Sequence, residues 1–454
     1  MHLFKKNFSR FIGYPIHDYA KSLHTIKTID FLNESQFWSE DKIHEYQVYK
    51  LKKLIDYAGS HVPYYEELFK NIGLSSKDIN KVEDIVNIPI LTKEILRNEG
   101  DRMLSRQFSK FKLKKGKTGG TTGSPLVVYK DVYNRSFTWA SYYRWYEWMG
   151  LNYYEPKISL WGAKTVLSKS LTDLFIKKSK ELFFNEITFN SFNMKDDDMW
   201  CLYKKVVKNK PVLLKGYLSA LIRFAQFIVH NNLTINGLKA ISTTTETLLP
   251  HNRTFLQDVF KAPIYDQYGC GEVSAISYEC KEHKGLHINQ EHVICEFLNN
   301  SDEPVKNKVG NVVATDLDNL VMPFIRFNTG DKASILNGRC SCGVKQPIMS
   351  SIEGRAIDNI ILNDGNAVHG VFFTDILFEL GITVELIQRF QVYQSEMGVI
   401  EFRIESVKKL DSKTIKKLEL ALLTFFDDVK LIFLDELPSE ANGKFKYIIN
   451  DLKL

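Results

Sequence analysis

Apolar residues recur at helical spacing through residues 41–58, where Tyr49, Leu51, Leu54, Ile55 and Ala58 follow a 3.6-residue period. The pattern predicts a helix, with Gly59 as its C-terminal stop and Pro63 as the interruption after it. Residues 89–92 open another helix, with Thr92 placed to cap it and Glu94 in its first turn. From about residue 111 the period changes. Extended runs at 126–129, 158–161, 240–244 and 263–268 alternate with helical patterns at 137–149, 219–231 and 251–260. Strands alternating with helices predict an α/β domain, and residues 287–327 then read mainly as strand and turn.

A boundary is expected near residues 354–358. Beyond it come a strand at 359–362, an Asn363-Asp364-Gly365 turn, a helix at 372–380 and strands at 390–393 and 399–404. A helix at 412–425, a strand at 431–434 and a hairpin at Asn442-Gly443 complete the pattern. The expected architecture is a large N-terminal α/β domain, residues 1–357 with a helical lead-in, and a small mobile α+β C-terminal domain, residues 358–454.

Composition changes this picture little. The chain has 454 residues, 44% of them hydrophobic, which is too long for one core and ample for two. Sixty basic against 54 acidic residues give a net charge of +6, which permits an anionic ligand but does not call for nucleic acid. The basic cluster Lys110, Lys112, Lys114, Lys115 and Lys117 is by itself a solvated strand face. No apolar run reaches the length of a membrane span. The first 14 residues mix Lys and Arg with Phe and lack a signal-peptide core; they fit a packed helix or a basic amphipathic helix touching a membrane surface. The expected compartment is the cytoplasm, where six cysteines read as thiols or metal ligands.

The Lys cluster leads into Lys117-Thr118-Gly119-Gly120-Thr121-Thr122-Gly123-Ser124-Pro125. This is not a Walker loop, because an extended run, not a helix, follows it. Glycines still let backbone N–H groups close on an oxyanion, and threonine hydroxyls add donors. A polar hairpin turn has the same composition.

Other motifs follow in order: Asp266-Gln267-Tyr268-Gly269-Cys270-Gly271-Glu272, Arg326-Phe327-Asn328-Thr329-Gly330-Asp331, Gly354-Arg355-Ala356-Ile357-Asp358, and Pro438-Ser439-Glu440-Ala441-Asn442-Gly443-Lys444. Together with His61-Val62-Pro63-Tyr64-Tyr65 and Pro89-Ile90-Leu91-Thr92-Lys93-Glu94 they resemble the adenylate-forming superfamily, in the branch of phenylacetate–CoA ligases and CapK-type capsular polysaccharide proteins.

The resemblance implies an ATP-dependent ligase. A small-molecule carboxylate attacks the α-phosphorus of ATP, and a thiol (CoA) or an amine, such as that of an amino sugar in surface polysaccharide synthesis, then displaces AMP. By resemblance, Thr118, Gly119, Gly120, Thr121, Thr122 and Gly123 hold the leaving phosphates, and Asp266, Gln267, Tyr268 and Gly269 lie by the adenine. Glu272 holds Mg²⁺, Asp331 takes the ribose hydroxyls, Arg355 approaches ribose and phosphate, and Thr245 and Glu246 line the pocket. Lys444 bridges the attacking carboxylate and the nucleotide, and Asp358 is the hinge. Two positions depart from the usual pattern: Gly271 stands where a Thr is common, and Phe327-Asn328 where Tyr-Arg is common. The resemblance also admits a homodimer. The rival reading is an inactive homologue serving as a scaffold.

Cys340-Ser341-Cys342-Gly343 forms a C-x-C-G knuckle, with Cys280, His283 and His287 upstream. Three thiolates and one imidazole would make a closed structural zinc site; free thiols at a turn are the alternative. The family likeness of Leu286-His287-Ile288 favours His287 over His283.

Overall fold

The computed structural model describes residues 2–108, 114–117, 127–161, 171–190, 196–244, 250–352, 359–363, 367–369, 389–406, 410–435 and 448–452, with isolated positions between the later segments. They fall into two compact units. The first comprises Met1–Gly116, Val127–Thr329 and Ala333–Ile352, and the second Lys117–Leu126, Gly330–Lys332 and Glu353–Leu454.

The first unit opens with helices: α1 (His2–Phe8), a π turn (Ser9–Gly13), α2 (Tyr14–Ala20), α3 (Thr25–Ser35), α4 (Glu40–His61), α5 (Pro63–Ile72) and α6 (Lys93–Glu99). Thr92 caps α6 as expected, its Oγ1 accepting from the Ile95 N–H at 3.2 Å. Gly59 does not stop α4, which runs on to His61. The glycine serves packing: a Cβ there would lie 3.1 Å from the Phe69 ring of α5. The helix ends instead where Val62 turns extended ahead of Pro63.

Strands β1 (Lys114–Lys117) and β2 (Val127–Lys130) pair with each other, so residues 118–126 connect two strands. Helix α7 (Val132–Trp148) follows, starting five residues before the apolar pattern because Asp131 caps it, accepting from the Asn134 N–H. The central sheet then builds up from β3 (Lys157–Trp161), α8 (Leu171–Phe184), β4 (Glu186–Asn190), α9 (Asp196–Asn209), β5 (Leu213–Tyr217), α10 (Leu218–His230), β6 (Ala240–Thr244), α11 (Pro250–Phe260) and β7 (Ile264–Tyr265). Its order is β4-β3-β5-β6-β7, all parallel. The expected strand at 263–268 is two strands. Asp266 separates β7 from β8 (Gln267–Tyr268), which belongs to another sheet.

That second sheet has the order β14-β15-β10-β9-β8, with β9 (Ser277–Glu279) and β10 (Leu286–Ile288) at its middle. Strands β11 (Val293–Leu298), β12 (Gly310–Asp316) and β13 (Phe327–Ala333) form a third sheet, and β14 (Ile335–Leu336) and β15 (Ile348–Met349) complete the second. The 89–92 segment reaches this region. The Leu91 N–H donates to the Arg326 carbonyl and its own carbonyl accepts from Asn328, both at 2.9 Å.

In the second unit, β16 (Asn359–Ile361) and β17 (Ala367–His369) form a hairpin. Strands β18 (Arg389–Glu396), β19 (Val399–Glu405), β20 (Asp428–Leu434) and β21 (Ile448–Asn450) form a sheet of order β20-β19-β18-β21 with helix α12 (Ser412–Leu422). Leu418 and Leu422 of the helix join Ile360, Phe373, Phe402 and Phe426 in one core. The tight β18–β19 turn needs Gly398, whose φ is +76°. Most of the expected 372–380 helix and the Asn442-Gly443 hairpin lie outside the described residues.

Candidate active site

A parallel sheet covered on both sides is normally apolar on both faces. Here one face is Ile158, Leu160, Ile187, Phe189, Leu214 and Ile241, while the alternate residues are largely polar. Across the strands Thr188, Ser159, Lys215 and Ser242 lie side by side. One step nearer the carboxyl ends come Asn190, Trp161, Tyr217 and Thr244, with the Trp161 and Tyr217 rings 4.7 Å apart. Lys215 Nζ lies 3.0 Å from Glu186 Oε1 and donates to the Tyr146 hydroxyl of α7 at 3.0 Å. Both charged side chains keep about a fifth of their surface open, 19% and 22%. Burial pushes Glu186 up, but Lys215, Lys157 and a Ser159 hydrogen bond outweigh it and hold the carboxyl at about 2. Lys215 is held above its ordinary value, Glu186 overcoming the effect of burial. Nothing in the apolar period announces this pair; the signal available was a lysine inside the run Leu213-Leu214-Lys215-Gly216-Tyr217.

The Asp266–Glu272 motif turns at this carboxyl edge, where open α/β sheets bind ligands. Gln267 Nε2 donates to Thr244 Oγ1, and the Gln267 Oε1 accepts from the Tyr142 hydroxyl at 3.4 Å. Asp266 is anchored from behind: its N–H donates to Glu279, itself gripped by both oxygens on Arg253 at 2.8 and 3.1 Å. Burial, then the nearby Glu279 charge, raises the Asp266 carboxyl to about 7. Tyr268 is buried, and the Ile276 N–H closes the loop onto its carbonyl at 3.1 Å. Gly269 admits no side chain, because a Cβ would lie 2.9 Å from the Ala275 nitrogen. Glu272 sits in this loop, 3% exposed. Sequence reasoning missed Lys130 at the end of β2, which donates to Ser274 Oγ in the same loop. Burial lowers the Lys130 ammonium, opposed by Asp316, Cys270 and Glu272.

The Cys/His residues also come together. Cys280, His287, Cys340 and Cys342 place one donor atom each within 4.8 Å of one another. Cys280 and Cys340 sulfurs are 3.6 Å apart and Cys342 Sγ is 3.4 Å from His287 Nε2. A tetrahedral zinc with sulfur at about 2.3 Å spans S···S edges of roughly 3.8 Å and S···N edges of roughly 3.6 Å, so the donor set fits. The other ring nitrogen, Nδ1, lies 3.0 Å from the Gln346 carbonyl. A carbonyl only accepts, so Nδ1 carries the proton and the Nε2 lone pair faces the thiols. Burial favours the neutral imidazole and raises the Cys280 and Cys342 thiols. His283 points elsewhere, 3.3 Å from Glu279.

Two curated relatives align over most of the chain. Protein CapK of Staphylococcus aureus is 26% identical over 418 residues, 90% of this chain and 89% of its own. The phenylacetate–coenzyme A ligase of Thermus thermophilus is 23% identical over 381 residues, 80% of each. No family model matches. Among solved structures, 2-hydroxyisobutyryl-CoA ligase in its postadenylation state superposes with a TM-score of 0.68 at 16% identity over 92% of both chains. The same enzyme with 2-HIB-AMP and CoA in its thioesterification state gives 0.64 at 17%. Over most of its length the chain is thus similar to CapK and to a phenylacetate–CoA ligase, and its fold is that of a CoA ligase.

Asp266, Gln267, Tyr268, Gly269 and Glu272 share one segment of the first unit. Asp331 is on β13 and 6% exposed, just after Gly330; it falls in the second unit. Arg326, from the same motif, is occupied structurally: it pairs with Glu296 at 2.8 Å and donates to the Val86 and Ile88 carbonyls. Thr118, Gly119, Gly120, Thr121, Thr122, Gly123, Thr245, Glu246, Arg355, Asp358 and Lys444 lie outside the described residues.

Proposed function

We propose that this protein activates a carboxylic acid with ATP and passes the acyl group to an acceptor. The observation that carries this reading is the closed Asp266–Glu272 turn at the carboxyl edge of the sheet, in a chain related over most of its length to a CoA ligase. A carboxylate oxygen attacks the α-phosphorus of ATP, and pyrophosphate departs with the bonding pair. The acceptor then attacks the acyl carbon, loses its proton, and AMP leaves. CoA is the first acceptor to test, in line with the relative's name. An amine, such as that of an amino sugar in a surface polysaccharide precursor, is the other, raised by the likeness to Protein CapK.

The roles are those that the resemblance implies. Residues 118–123 hold the leaving phosphates, Tyr268 flanks the adenine, and Asp331 accepts from the ribose hydroxyls. Glu272, with Asp266 and Gln267 fixing its turn, is the carboxylate that would hold Mg²⁺, which supplies charge against the departing pyrophosphate. Arg355 and Lys444 supply positive charge at the reacting groups. Residues 1–357 carry the nucleotide site and 358–454 bring Lys444, with Asp358 as hinge.

The polar row on the sheet supports an acid whose chain carries hydrogen-bonding groups. An unsubstituted phenyl or alkyl tail would strip water from Lys215, Glu186, Thr188 and Asn190 and return no hydrogen bond. Carboxylate-dependent ATP–pyrophosphate exchange over aryl, fatty, hydroxy and amino acids, with and without CoA, tests both statements. Hydroxy- or amino-substituted acids are expected to exceed plain acids of equal size by about tenfold or more in kcat/KM. Plain acids winning would reject the polar pocket, and no exchange with any acid would favour the scaffold reading.

The Cys280, His287, Cys340 and Cys342 cluster is proposed as a structural zinc site. It would tie β9 and β10 to the Cys340–Cys342 knuckle, and no step of the reaction needs it. Metal analysis of the purified protein should give about one zinc per chain, lost in Cys340→Ser/Cys342→Ser. Metal-free protein of unchanged stability would remove the site.

A further inference from the structure

The helical run from His2 to Ala20 has two apolar faces. One is used: Ser9, Gly13 and Tyr14 are buried, and a Cβ at Gly13 would lie 2.2 Å from the Phe183 carbonyl oxygen of α8. The other meets solvent. Phe4, Phe11, Ile12, Ile16 and Tyr19 are 65, 63, 43, 49 and 90% exposed. A plain α-helix drifts by about 40° for every four residues, which would spread Phe4, Ile12 and Ile16 around the axis. The wider π turn Ser9–Gly13 takes back part of that drift and keeps the stripe together.

The flanks are basic. Between residues 2 and 24 stand Lys5, Lys6, Arg10 and Lys21 against the single acid Asp18. Helix α8, packed on the π turn, adds exposed Lys178 and Lys180, with Glu181 beside them. A second copy on this face would bring two basic rims together across a two-fold axis, which like-charge repulsion opposes. An anionic bilayer meets both features at once. The apolar stripe enters the boundary between headgroups and acyl chains, and the lysines and arginine meet the phosphates.

We propose that this face docks the protein on an anionic lipid surface. The test is co-sedimentation of the full chain with phosphatidylcholine vesicles, with and without phosphatidylglycerol. Binding is expected only with the anionic lipid, weakening as salt is raised. Phe11→Ser/Ile16→Ser and Lys5→Glu/Arg10→Glu should each weaken it by about tenfold or more. The melting temperature of Phe11→Ser/Ile16→Ser should stay unchanged, since both residues are exposed. Absence of wild-type binding to anionic vesicles, or full binding by both variants, overturns the proposal. So does a wild-type dimer that Phe11→Ser/Ile16→Ser turns monomeric in sedimentation, since a second copy would then own the face.

Discussion

Arg144→Met is expected to destabilise the first unit by roughly 3–5 kcal/mol. Arg144 is fully buried on α7 and joins three parts of the chain. Nη1 donates to the Leu32 carbonyl of α3 at 3.1 Å and to Glu291 Oε1 at 2.8 Å, and Nη2 donates to Asn289 Oδ1 at 2.8 Å. Methionine keeps most of the apolar stem, so packing is largely spared and the charge alone is removed. Glu291, itself 0% exposed, would then keep Ser35 at 2.6 Å and Gln346 but no positive partner. All six tryptophans, at positions 38, 139, 145, 148, 161 and 200, lie in the first unit, so fluorescence-detected denaturation follows that unit alone. Arg144→Met/Glu291→Met should lose less than the single variant, because it leaves no unpaired charge. A single-variant loss below about 1 kcal/mol would show that the hydrogen bonds to Glu291 suffice without the guanidinium.

This hub marks where the sequence ceases to be legible. Arg144 and Glu291 stand 147 positions apart, and neither breaks a local pattern enough to name the other. Features written within a few residues were readable. Thr92 caps α6, and residues 240–244 form β6 with the bounds expected of that extended run. The C-x-C-G knuckle was visible for the same reason, and His287 was favoured by likeness; its tautomer depends on the Gln346 carbonyl, which no side-chain pattern records. Residues 263–268 look like one strand because periodicity reports extension but not pairing partners. The division at Asp266 depends on β7 joining β6 while β8 joins β9. Strand β5 leaves no clear apolar run because Lys215 and Gly216 interrupt it. The lysine is tolerated by Glu186 from another strand, and Gly216 by contact with Leu160, whose Cβ would be 2.7 Å from an added methyl. The motifs were therefore readable in order, while the polar face of the sheet required the strand pairing.

Lys444→Ala is expected to lower carboxylate-dependent ATP–pyrophosphate exchange on the order of 10²–10³-fold, the cost of removing one donor aimed at developing charge. The adenylation step draws a carboxylate toward a phosphate, so two anions share one site as the bond forms. A lysine between them is worth more in that arrangement than in either separated reactant, and its loss should fall on kcat more than on KM. Lys444→Arg tests placement apart from charge: a planar guanidinium keeps the charge but not the point geometry, so it should restore only part of the rate. Reaction of chemically supplied acyl-adenylate with the acceptor does not repeat the meeting of carboxylate and ATP, so it should be far less affected in Lys444→Ala. The melting temperature of the variant serves as the control for folding. Unchanged exchange in Lys444→Ala would reject the role of this lysine while leaving the zinc cluster, the polar sheet face and the lipid-binding face to stand on their own tests.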